Sequence, residues 1–328
     1  MCAHIVPGTV IADRFEVSAL AGTGGMSCVY KARDLHTSRP VALKILLRTG
    51  NYGMALQRFS REATLIAELS HPGTPSFVAS GNTADGKDYL AMEWLEGETL
   101  SRRLERGLLT VRECQLLLER VAKVLACIHQ LEIVHRDIKP SNLFLCDARF
   151  ERVVVLDFGV AHCRPFGRHT SLTSSGTMVG TVGYMAPEQV RDAGAITAAA
   201  DMYSLGLVAY ECLAGRDLYL PQHAAAALAR TLLEDRPVLS EVCPRVPAPL
   251  SALIGRMLIK DPALRPQDGA ALQQELQALG PLHDIGDKTT GPTVRRCAAH
   301  RRATPPSPSR TCHRRGSDAR RGAGDCRG

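Results

Sequence analysis

The sequence predicts an α+β fold in which a small β-rich N-terminal lobe with one main helix precedes a larger α-rich C-terminal lobe. Up to about residue 92, short apolar runs alternate with glycine-rich or polar turns, which is the pattern of strands. After Gly97 the apolar residues recur at the three- and four-residue spacing of helices. We therefore expect one two-lobed domain over residues 11–280, with the small lobe at about 11–92, a hinge at about 93–97 and the large lobe at about 98–280.

The small lobe is predicted to contain several strands and a single helix. The helix covers about residues 55–69, because apolar side chains fall on one face of it at Phe59, Ala63, Ile66 and Leu69. The strands are expected at residues 15–20, 28–32, 41–46, 75–79 and 89–92.

The large lobe is predicted to begin with a long helix. Thr110, followed three residues later by Glu113, is typical of a capping box that opens a helix. Apolar residues then continue at helical spacing through Cys114, Leu117, Val121, Val124 and Ile128. Further helices are expected near residues 200–214, 224–233, 249–258 and 269–279, and short β segments near 143–145 and 153–156.

Composition limits the classes of function. The chain has 328 residues, of which 45% are hydrophobic, so it can bury a substantial core. No apolar run approaches the roughly 18 residues that cross a bilayer, and the N-terminus does not resemble a secretory signal. The 11 cysteines include no Cys-x-x-Cys pair, which argues against a disulfide framework or a zinc site. Reduced thiols favour a cytoplasmic protein.

Residues 281–328 are predicted to form a disordered Arg/Pro-rich tail. They contain ten arginines and one lysine against four aspartates, so they carry the whole net charge of +7. A nucleic-acid or membrane-surface role for these arginines is one alternative, but the tail has no aromatic residue to stack on bases. A truncated linker and a frame-shifted readthrough are the others. We expect no specific nucleic-acid partner and no membrane span.

One segment carries the chemistry of phosphoryl transfer. Residues 135–142 read HRDIKPSN, and a DFG motif begins at Asp157. Phosphoryl transfer needs a carboxylate to orient the attacking hydroxyl, a cation near the moving phosphate and oxygen ligands for a divalent metal. Asp137, Lys139 and the pair Asn142 and Asp157 supply these three requirements.

A nucleotide cradle is predicted upstream. Glycines at positions 22, 24 and 25 lie between two predicted strands, where backbone amides can approach phosphate oxygens without a Cβ in the way. Lys44 lies in the strand-like run VALK, and an inward-pointing lysine needs an anionic partner. Glu62, on the one helix of this lobe, is the candidate. In isolation, each of the two residues also fits a solvated surface position.

Residues 81–88 look like a second phosphate loop, but the interpretation fails. Their sequence GNTADGKD places Asp88 where a Walker A loop has serine or threonine, and a strand-like run follows in place of a helix. Asp85 and Gly86 are better explained as a hairpin turn between two strands.

Taken together and in this order, these motifs resemble the bacterial serine/threonine protein kinases of the eukaryotic (Hanks) type. The resemblance covers about residues 11–280. It implies an enzyme that uses ATP and Mg²⁺, with Mn²⁺ as an alternative metal, to phosphorylate protein substrates. Lys44, Glu62, Asp137 and Lys139 would be the catalytic residues. Lys139 followed by Pro140 resembles the serine/threonine branch and not the tyrosine branch.

The resemblance also implies a set of ATP contacts. Met92 would be the gatekeeper, and Glu93 and Leu95 would offer backbone hydrogen bonds at the hinge. The phosphates would lie under the glycine loop and the adenine between apolar side chains, which gives the set Gly22, Gly24, Gly25, Val29, Ala42, Lys44 and Phe144. Two residues depart from the family pattern: Ser27 stands where the third glycine would be, and Phe144 is bulkier than the usual aliphatic residue.

Structural and regulatory residues follow from the same resemblance. The segment 180–188 would receive the substrate, with Thr181 inside it and Glu188 paired with Arg265, and Asp201 would anchor the catalytic loop. Arg136 before the catalytic aspartate goes with activation by phosphorylation in this family. Offset from Thr181 favours Thr173 and Ser175 as autophosphorylation sites, and a homodimer would allow the reaction in trans. A flexible polar loop is the alternative for these residues. A pseudokinase would lack a catalytic group, and none is missing.

Overall fold

The computed structural model describes residues 5–24, 26–47, 52–158, 183–191, 196–215 and 224–286, which all belong to one compact unit. Four predicted site residues lie outside the described residues: Gly25, Thr173, Ser175 and Thr181. So does the predicted tail from residue 287 onwards.

The small lobe is a six-stranded antiparallel sheet with one long helix. The strands are β1 (Val10–Ile11), β2 (Phe15–Thr23), β3 (Ser27–Asp34), β4 (Pro40–Leu46), β5 (Phe77–Asn82) and β6 (Asp88–Glu93), and they lie in the order β1-β2-β3-β4-β6-β5. The helix, α1 (Tyr52–Glu68), comes between β4 and β5. The predicted strands and helix of this lobe are all present. The strand predicted at 75–79 begins two residues later, and the two-residue β1 was not predicted.

The two faces of this sheet have different roles, which follow from the alternation of side chains along each strand. Leu43 and Ile45 of β4 join a fully buried cluster with Phe15 and Tyr30. The residue between them, Lys44, therefore points from the opposite face, toward α1 and the large lobe.

The hairpin between β5 and β6 decides the question of the second phosphate loop. Gly86 has a φ of 73°, and its N–H donates to the carbonyl of Thr83 at 2.8 Å. The Thr83 hydroxyl accepts the N–H of Lys87 at 2.9 Å. Residues 81–88 therefore form a turn that leads directly into a strand, and the predicted hairpin is confirmed.

The large lobe is mainly helical. Its helices are α2 (Leu100–Leu104), α3 (Val111–Gln130), α4 (Pro187–Arg191), α5 (Ala199–Ala214), α6 (Ala224–Leu233), α7 (Leu239–Val242), α8 (Ala248–Met257) and α9 (Gly269–Leu279). A three-stranded antiparallel sheet of β7 (Gly97–Thr99), β8 (Leu143–Cys146) and β9 (Val153–Val155) accompanies them. The α+β fold with two lobes is confirmed. The short elements β7, α2, α4 and α7 were not predicted.

Two helices organise the core of the large lobe. At the start of α3 the Thr110 hydroxyl accepts the N–H of Glu113 at 3.2 Å, and a Glu113 carboxylate oxygen accepts the N–H of Thr110 at 2.7 Å, which confirms the capping box. Every residue of α5 is buried. Gly206 lets this helix approach α8 closely, since a Cβ there would lie 2.9 Å from Cβ of Met257.

The cysteines of the described residues are free thiols and mostly buried. Burial raises the pKa of the Cys114 thiol to about 12. These thiols therefore act as small core residues, as their sequence context predicted.

The described residues that follow α9 pack against the start of the large lobe. Asp284 accepts the N–H of Val111, the first residue of α3, at 3.0 Å and pairs with Arg245. Gln115 donates to the carbonyl of Gly280 at 2.6 Å and accepts the N–H of Leu282 at 2.9 Å. The domain end at residue 280 remains a prediction.

Among the described helices, none combines the length and the apolar character that a membrane crossing requires.

Candidate active site

Lys44 on β4 contacts two carboxylates from different parts of the fold. Its ammonium nitrogen lies 2.7 Å and 2.9 Å from the two carboxylate oxygens of Glu62 on α1, and 2.6 Å from Oδ1 of Asp157. Lys44 and Glu62 are each 9% exposed, whereas 54% of the Asp157 side chain is exposed. A buried ammonium is tolerated only beside opposite charge, so the three residues form one unit.

The charges of this cluster shift the acidity of all three groups. Burial disfavours the charged form of Lys44, but the attraction of Asp157 and Glu62 outweighs it and raises the pKa of the ammonium. The positive charge of Lys44 lowers the pKa of Asp157 in spite of desolvation. Burial raises the pKa of Glu62, and Lys44 only partly counteracts this effect. Asp157 is therefore the carboxylate that keeps its negative charge most readily.

The loop 135–142 gathers Lys139 and Asn142 around one oxygen of Asp137. Lys139 Nζ lies 2.8 Å from Oδ2 of Asp137, and Nδ2 of Asn142 donates to the same oxygen at 3.0 Å. The turn Pro140–Asn142 brings the side chain of Asn142 back toward Asp137. The carbonyl of Asn142 accepts the N–H of Leu156 at 2.8 Å, which joins the loop to the residue before Asp157.

Asp201, near the start of α5, holds the backbone of this loop. Its fully buried carboxylate accepts the N–H groups of His135 at 2.8 Å and Arg136 at 2.7 Å. Arg136 has a φ of 64°, in the left-handed region that side chains disfavour. The two charge-assisted hydrogen bonds offset this conformational cost and fix the backbone conformation that precedes Asp137.

His129 contributes a third hydrogen bond to Asp201, which the sequence did not reveal. Its Nε2 lies 2.9 Å from Oδ2 of Asp201, and its Nδ1 accepts the N–H of Gly269 at 3.1 Å. Because Nδ1 is an acceptor, Nε2 carries the proton and donates to Asp201. The two partners are 72 residues apart, and no local motif marks His129.

Glu188 and Arg265 form a bidentate ion pair. The two guanidinium nitrogens lie 2.7 Å and 2.9 Å from the carboxylate oxygens, and Arg265 is only 3% exposed. The same guanidinium donates to three backbone carbonyls, those of Ile259, Ala199 and Lys260. The structure thus brings together the end of the predicted substrate segment, the start of α5 and the loop after α8.

Strand register places the predicted adenine contacts of the small lobe side by side. Val29 lies opposite Lys44 in the β3–β4 pair, and Ala42 lies opposite Met92 in the β4–β6 pair. All four therefore stand on one face of the sheet. Phe144 lies on β8, opposite Thr99, which follows the hinge.

The remaining predicted contacts lie in the hinge and the glycine loop. The N–H of Glu93 donates to the carbonyl of Ser76 at 2.9 Å, and Leu95 is half-buried in the segment that follows. Gly22 lies opposite Val29, and the N–H of Gly24 donates to the carbonyl of Ser27 at 2.7 Å. The hinge and the glycine loop thus border the face that carries Ala42 and Lys44.

This arrangement agrees with the comparison to known families. Residues 15–277 match the family model described as the protein kinase domain. The chain belongs to the protein kinase family. The bacterial type that the motifs resemble is confirmed by curated relatives of this kinase, which are bacterial serine/threonine kinases.

Three of these relatives illustrate the range of similarity. The kinase is 31% identical to the probable serine/threonine-protein kinase pknA2 of Bifidobacterium longum, over 83% of this chain and 36% of the relative. It is 32% identical to PrkC of Bacillus subtilis, over 86% and 43%. It is 33% identical to PknL of Mycobacterium tuberculosis, over 89% and 71%. The chain thus spans about a third to a half of the length of several curated relatives that it matches.

The fold of the kinase is also similar to a solved structure. The PknI kinase domain of Mycobacterium tuberculosis superposes with a TM-score of 0.64 at 25% identity, over 84% of this chain and 99% of that domain. The kinase therefore has the two-lobed fold that its sequence predicted.

Proposed function

We propose that the protein transfers the γ-phosphate of ATP to serine or threonine hydroxyls of other proteins. One observation carries the proposal: Lys44 of the small lobe and Asp157 of the large lobe lie 2.6 Å apart. The cation expected to bind nucleotide phosphates and the carboxylate expected to bind metal therefore share one cleft. Asn142 and Asp137 are joined to the same cleft through the hydrogen bond from Leu156 to Asn142.

Asp137 is the group that we propose accepts the proton of the attacking hydroxyl. Its bonds to Lys139 and Asn142 both fall on Oδ2, so Oδ1 is the oxygen that faces the substrate in this proposal. The ammonium of Lys139 lies beside the reacting group, where it would stabilise the negative charge of the phosphoryl group during transfer. The short bonds hold both side chains in place before substrate binds, which limits the entropy lost in the reaction.

Asn142 and Asp157 fit the needs of a divalent metal. Nδ2 of Asn142 donates to Asp137, so the side-chain oxygen of Asn142 is the proposed ligand atom. Oδ1 of Asp157 contacts Lys44, so Oδ2 is the proposed ligand atom of Asp157. Mg²⁺ is commonly held by one or two protein oxygens together with substrate phosphates. We propose Mg²⁺, with Mn²⁺ as an alternative, and the bound ion would neutralise phosphate charge.

The cleft face of the sheet is the proposed ATP site. Val29, Ala42 and Phe144 would enclose the adenine, with Met92 as gatekeeper behind it. Because the N–H of Glu93 already donates to the carbonyl of Ser76, Glu93 would contact adenine through its own carbonyl. Leu95 would contact adenine through its backbone. Gly22, Gly24 and Gly25 would cover the phosphates that Lys44 binds.

Regulation by phosphorylation remains a proposal from sequence. Thr173 and Ser175 are the proposed autophosphorylation sites, with Arg136 as a phosphate ligand and a homodimer as the arrangement that permits the reaction in trans. Thr181 is proposed to belong to the segment that receives the substrate, which ends at Glu188. We further propose a cytoplasmic protein that acts on protein substrates and has no specific nucleic-acid partner.

The test is phosphate transfer from labelled ATP to a generic basic protein in the presence of Mg²⁺. We expect activity in the wild type and a fall of about 10³-fold in Asp137→Asn, since the base is lost while its shape is kept. Asp147→Asn is the matched control, because Asp147 is an exposed aspartate of the same lobe whose one ion pair among the described residues is with Arg152.

A pseudokinase is the competing function, and the same assay separates the two. A wild-type protein that binds ATP but transfers no phosphate would be a binding module. Equal activity in wild type and Asp137→Asn would mean that a contaminating kinase supplies the signal.

A further inference from the structure

Three residues near the hinge form a cluster that the proposed reaction does not use. Lys31 Nζ, on β3, lies 3.1 Å from Oε1 of Glu96 and 4.6 Å from the centre of the Trp94 ring system. The indole N–H of Trp94 donates to the same oxygen of Glu96 at 2.7 Å. One ammonium is thus held by a carboxylate and an aromatic face together. We call Lys31, Trp94 and Glu96 the hinge latch.

Strand register places the latch beside the proposed adenine site. Lys31 lies opposite Ala42 in the β3–β4 pair, and Val29, two residues earlier, lies opposite Lys44. Residues two apart on a strand share a face, so Lys31 stands on the cleft face next to Val29 and Ala42. It is the outermost of these positions along β3.

The other two members of the latch belong to the connection between the lobes. β6 ends at Glu93, and Trp94 and Glu96 follow it on either side of Leu95. A contact from Lys31 to both residues therefore ties the hinge to the sheet. The hydrogen bond from Lys31, followed by that from Trp94, lowers the pKa of Glu96, so the latch is charged at neutral pH.

We propose that the hinge latch positions the hinge backbone for nucleotide binding. Lys31 and Trp94 are then positioning residues that set the affinity for ATP and leave the rate of phosphate transfer unchanged. This inference rests on the proposed function. Glu93 and Leu95 can both bind adenine only when the hinge holds one conformation, and a latch that fixes it beforehand removes that ordering cost from binding.

The expected effect is modest, because the latch is partly solvated. The side chain of Lys31 is 38% exposed and that of Glu96 is 69% exposed. Partly exposed cation–π and ion-pair contacts of this kind change affinity by about three- to tenfold. The effect falls on the KM for ATP, since the latch touches none of Lys44, Asp137 and Asp157.

The test compares Lys31→Met with Lys87→Met in the full chain. Methionine keeps the apolar stem and removes the charge. Lys87 is the matched control, because it pairs with Asp85 at 2.6 Å in the β5–β6 hairpin and its side chain is 31% exposed. Two quantities are measured: the KM and kcat for ATP, and the fluorescence of Trp94, which is the only tryptophan of the chain.

We expect Lys31→Met to raise the KM for ATP about three- to tenfold at unchanged kcat, and to change Trp94 emission before nucleotide is added. Trp94→Phe, which keeps an aromatic face and loses the N–H donor, should raise KM less. Lys87→Met should change neither quantity. The proposal is overturned if Lys31→Met matches Lys87→Met in KM, or if it lowers kcat at constant KM. Failure of the proposed function is distinct, since it would appear as a wild type without phosphate transfer, and Trp94 emission would still report whether the latch forms.

Discussion

Oδ1 of Asp157 lies closer to the ammonium of Lys44 than either oxygen of Glu62, at 2.6 Å against 2.7 and 2.9 Å. The sheet of the small lobe and the segment that follows β9 are therefore linked by an ion pair. In the proposed function Asp157 would turn toward the metal when a metal-bound nucleotide binds, and Glu62 would then be the partner that keeps Lys44 in place. This division of roles makes Glu62 the informative residue to change.

We expect Glu62→Gln to lower kcat/KM for phosphate transfer by about 10- to 100-fold, because Lys44 then has only Asp157 as a charged partner and is drawn away from the phosphates. Steady-state kinetics with a protein substrate measures the change. Glu68→Gln, at an exposed position of the same helix, is the control and should keep wild-type kinetics. Equal kinetics in both variants would show that the Lys44–Glu62 pair is not needed.

Asp201→Ala should both destabilise the protein and reduce kcat. The change removes the carboxylate acceptor of three donors: the N–H of His135, which is buried, and the N–H of Arg136 and Nε2–H of His129, which are partly buried. Buried donors that lose a charged acceptor cost about 3–5 kcal/mol in the free energy of unfolding. Urea unfolding measures the stability, with Asp235→Ala as the control, because the side chain of Asp235 is 92% exposed. A loss of activity without a loss of stability would contradict this explanation.

Arg265→Ala is predicted to cost about 3–5 kcal/mol in the free energy of unfolding, since it leaves the Glu188 carboxylate and three carbonyls without their donor. Arg265→Lys should recover only part of it, because a lysine cannot form the bidentate contact. A double-mutant cycle with Glu188→Ala isolates the pair. Additive effects in that cycle would mean that the backbone contacts, and not Glu188, account for the stabilisation.

The pair Arg14 and Asp34 gives a prediction about pH. Both guanidinium contacts are 2.9 Å long and Asp34 is 1% exposed. The hydrogen bond from Arg14 holds the pKa of Asp34 well below its usual range, in spite of desolvation. A lowered pKa in the folded state stabilises the protein above the ordinary pKa of about 3.9, and this stabilisation is lost as the pH falls.

Asp34→Asn should therefore be less stable than wild type by about 1–2 kcal/mol at pH 7, an amount reduced by the partial exposure of Arg14. The difference should be the same at pH 5 and should narrow only below about pH 4. Urea unfolding at several pH values measures it, with exposed Asp13→Asn as the control. A difference that narrows between pH 7 and pH 5 would assign the effect to another group.

Local patterns predicted the long elements and missed several of the short ones. The capping box at Thr110 and the apolar spacing after it are local, so α3 was predicted with its start. The five-residue helices α2 and α4 and the three-residue strand β7 are too short to show a period, and their neighbours in the fold stabilise them. The prediction for β5 began two residues too early because it included Pro75 and Ser76, whereas the pairing with β6 begins at Phe77.

The same distinction holds within the site. Lys44 and Glu62 could be paired from sequence because one lysine lay in an apolar strand and one helix was available to face it. The contacts of Lys31 with Trp94 and of His129 with Asp201 could not, since each joins ordinary surface or helix positions that only the three-dimensional register brings together.

Gly206 has a consequence that reaches beyond its own contact. A methyl group there would press on Met257 and Leu258, within the interface of α5 and α8. Because residue 206 has no side chain, the helix that carries Asp201 lies close to the chain that leads to Arg265. Alanine at position 206 would therefore push α5 and α8 apart. It would contact neither nucleotide nor substrate and would still displace the elements that position the reacting groups.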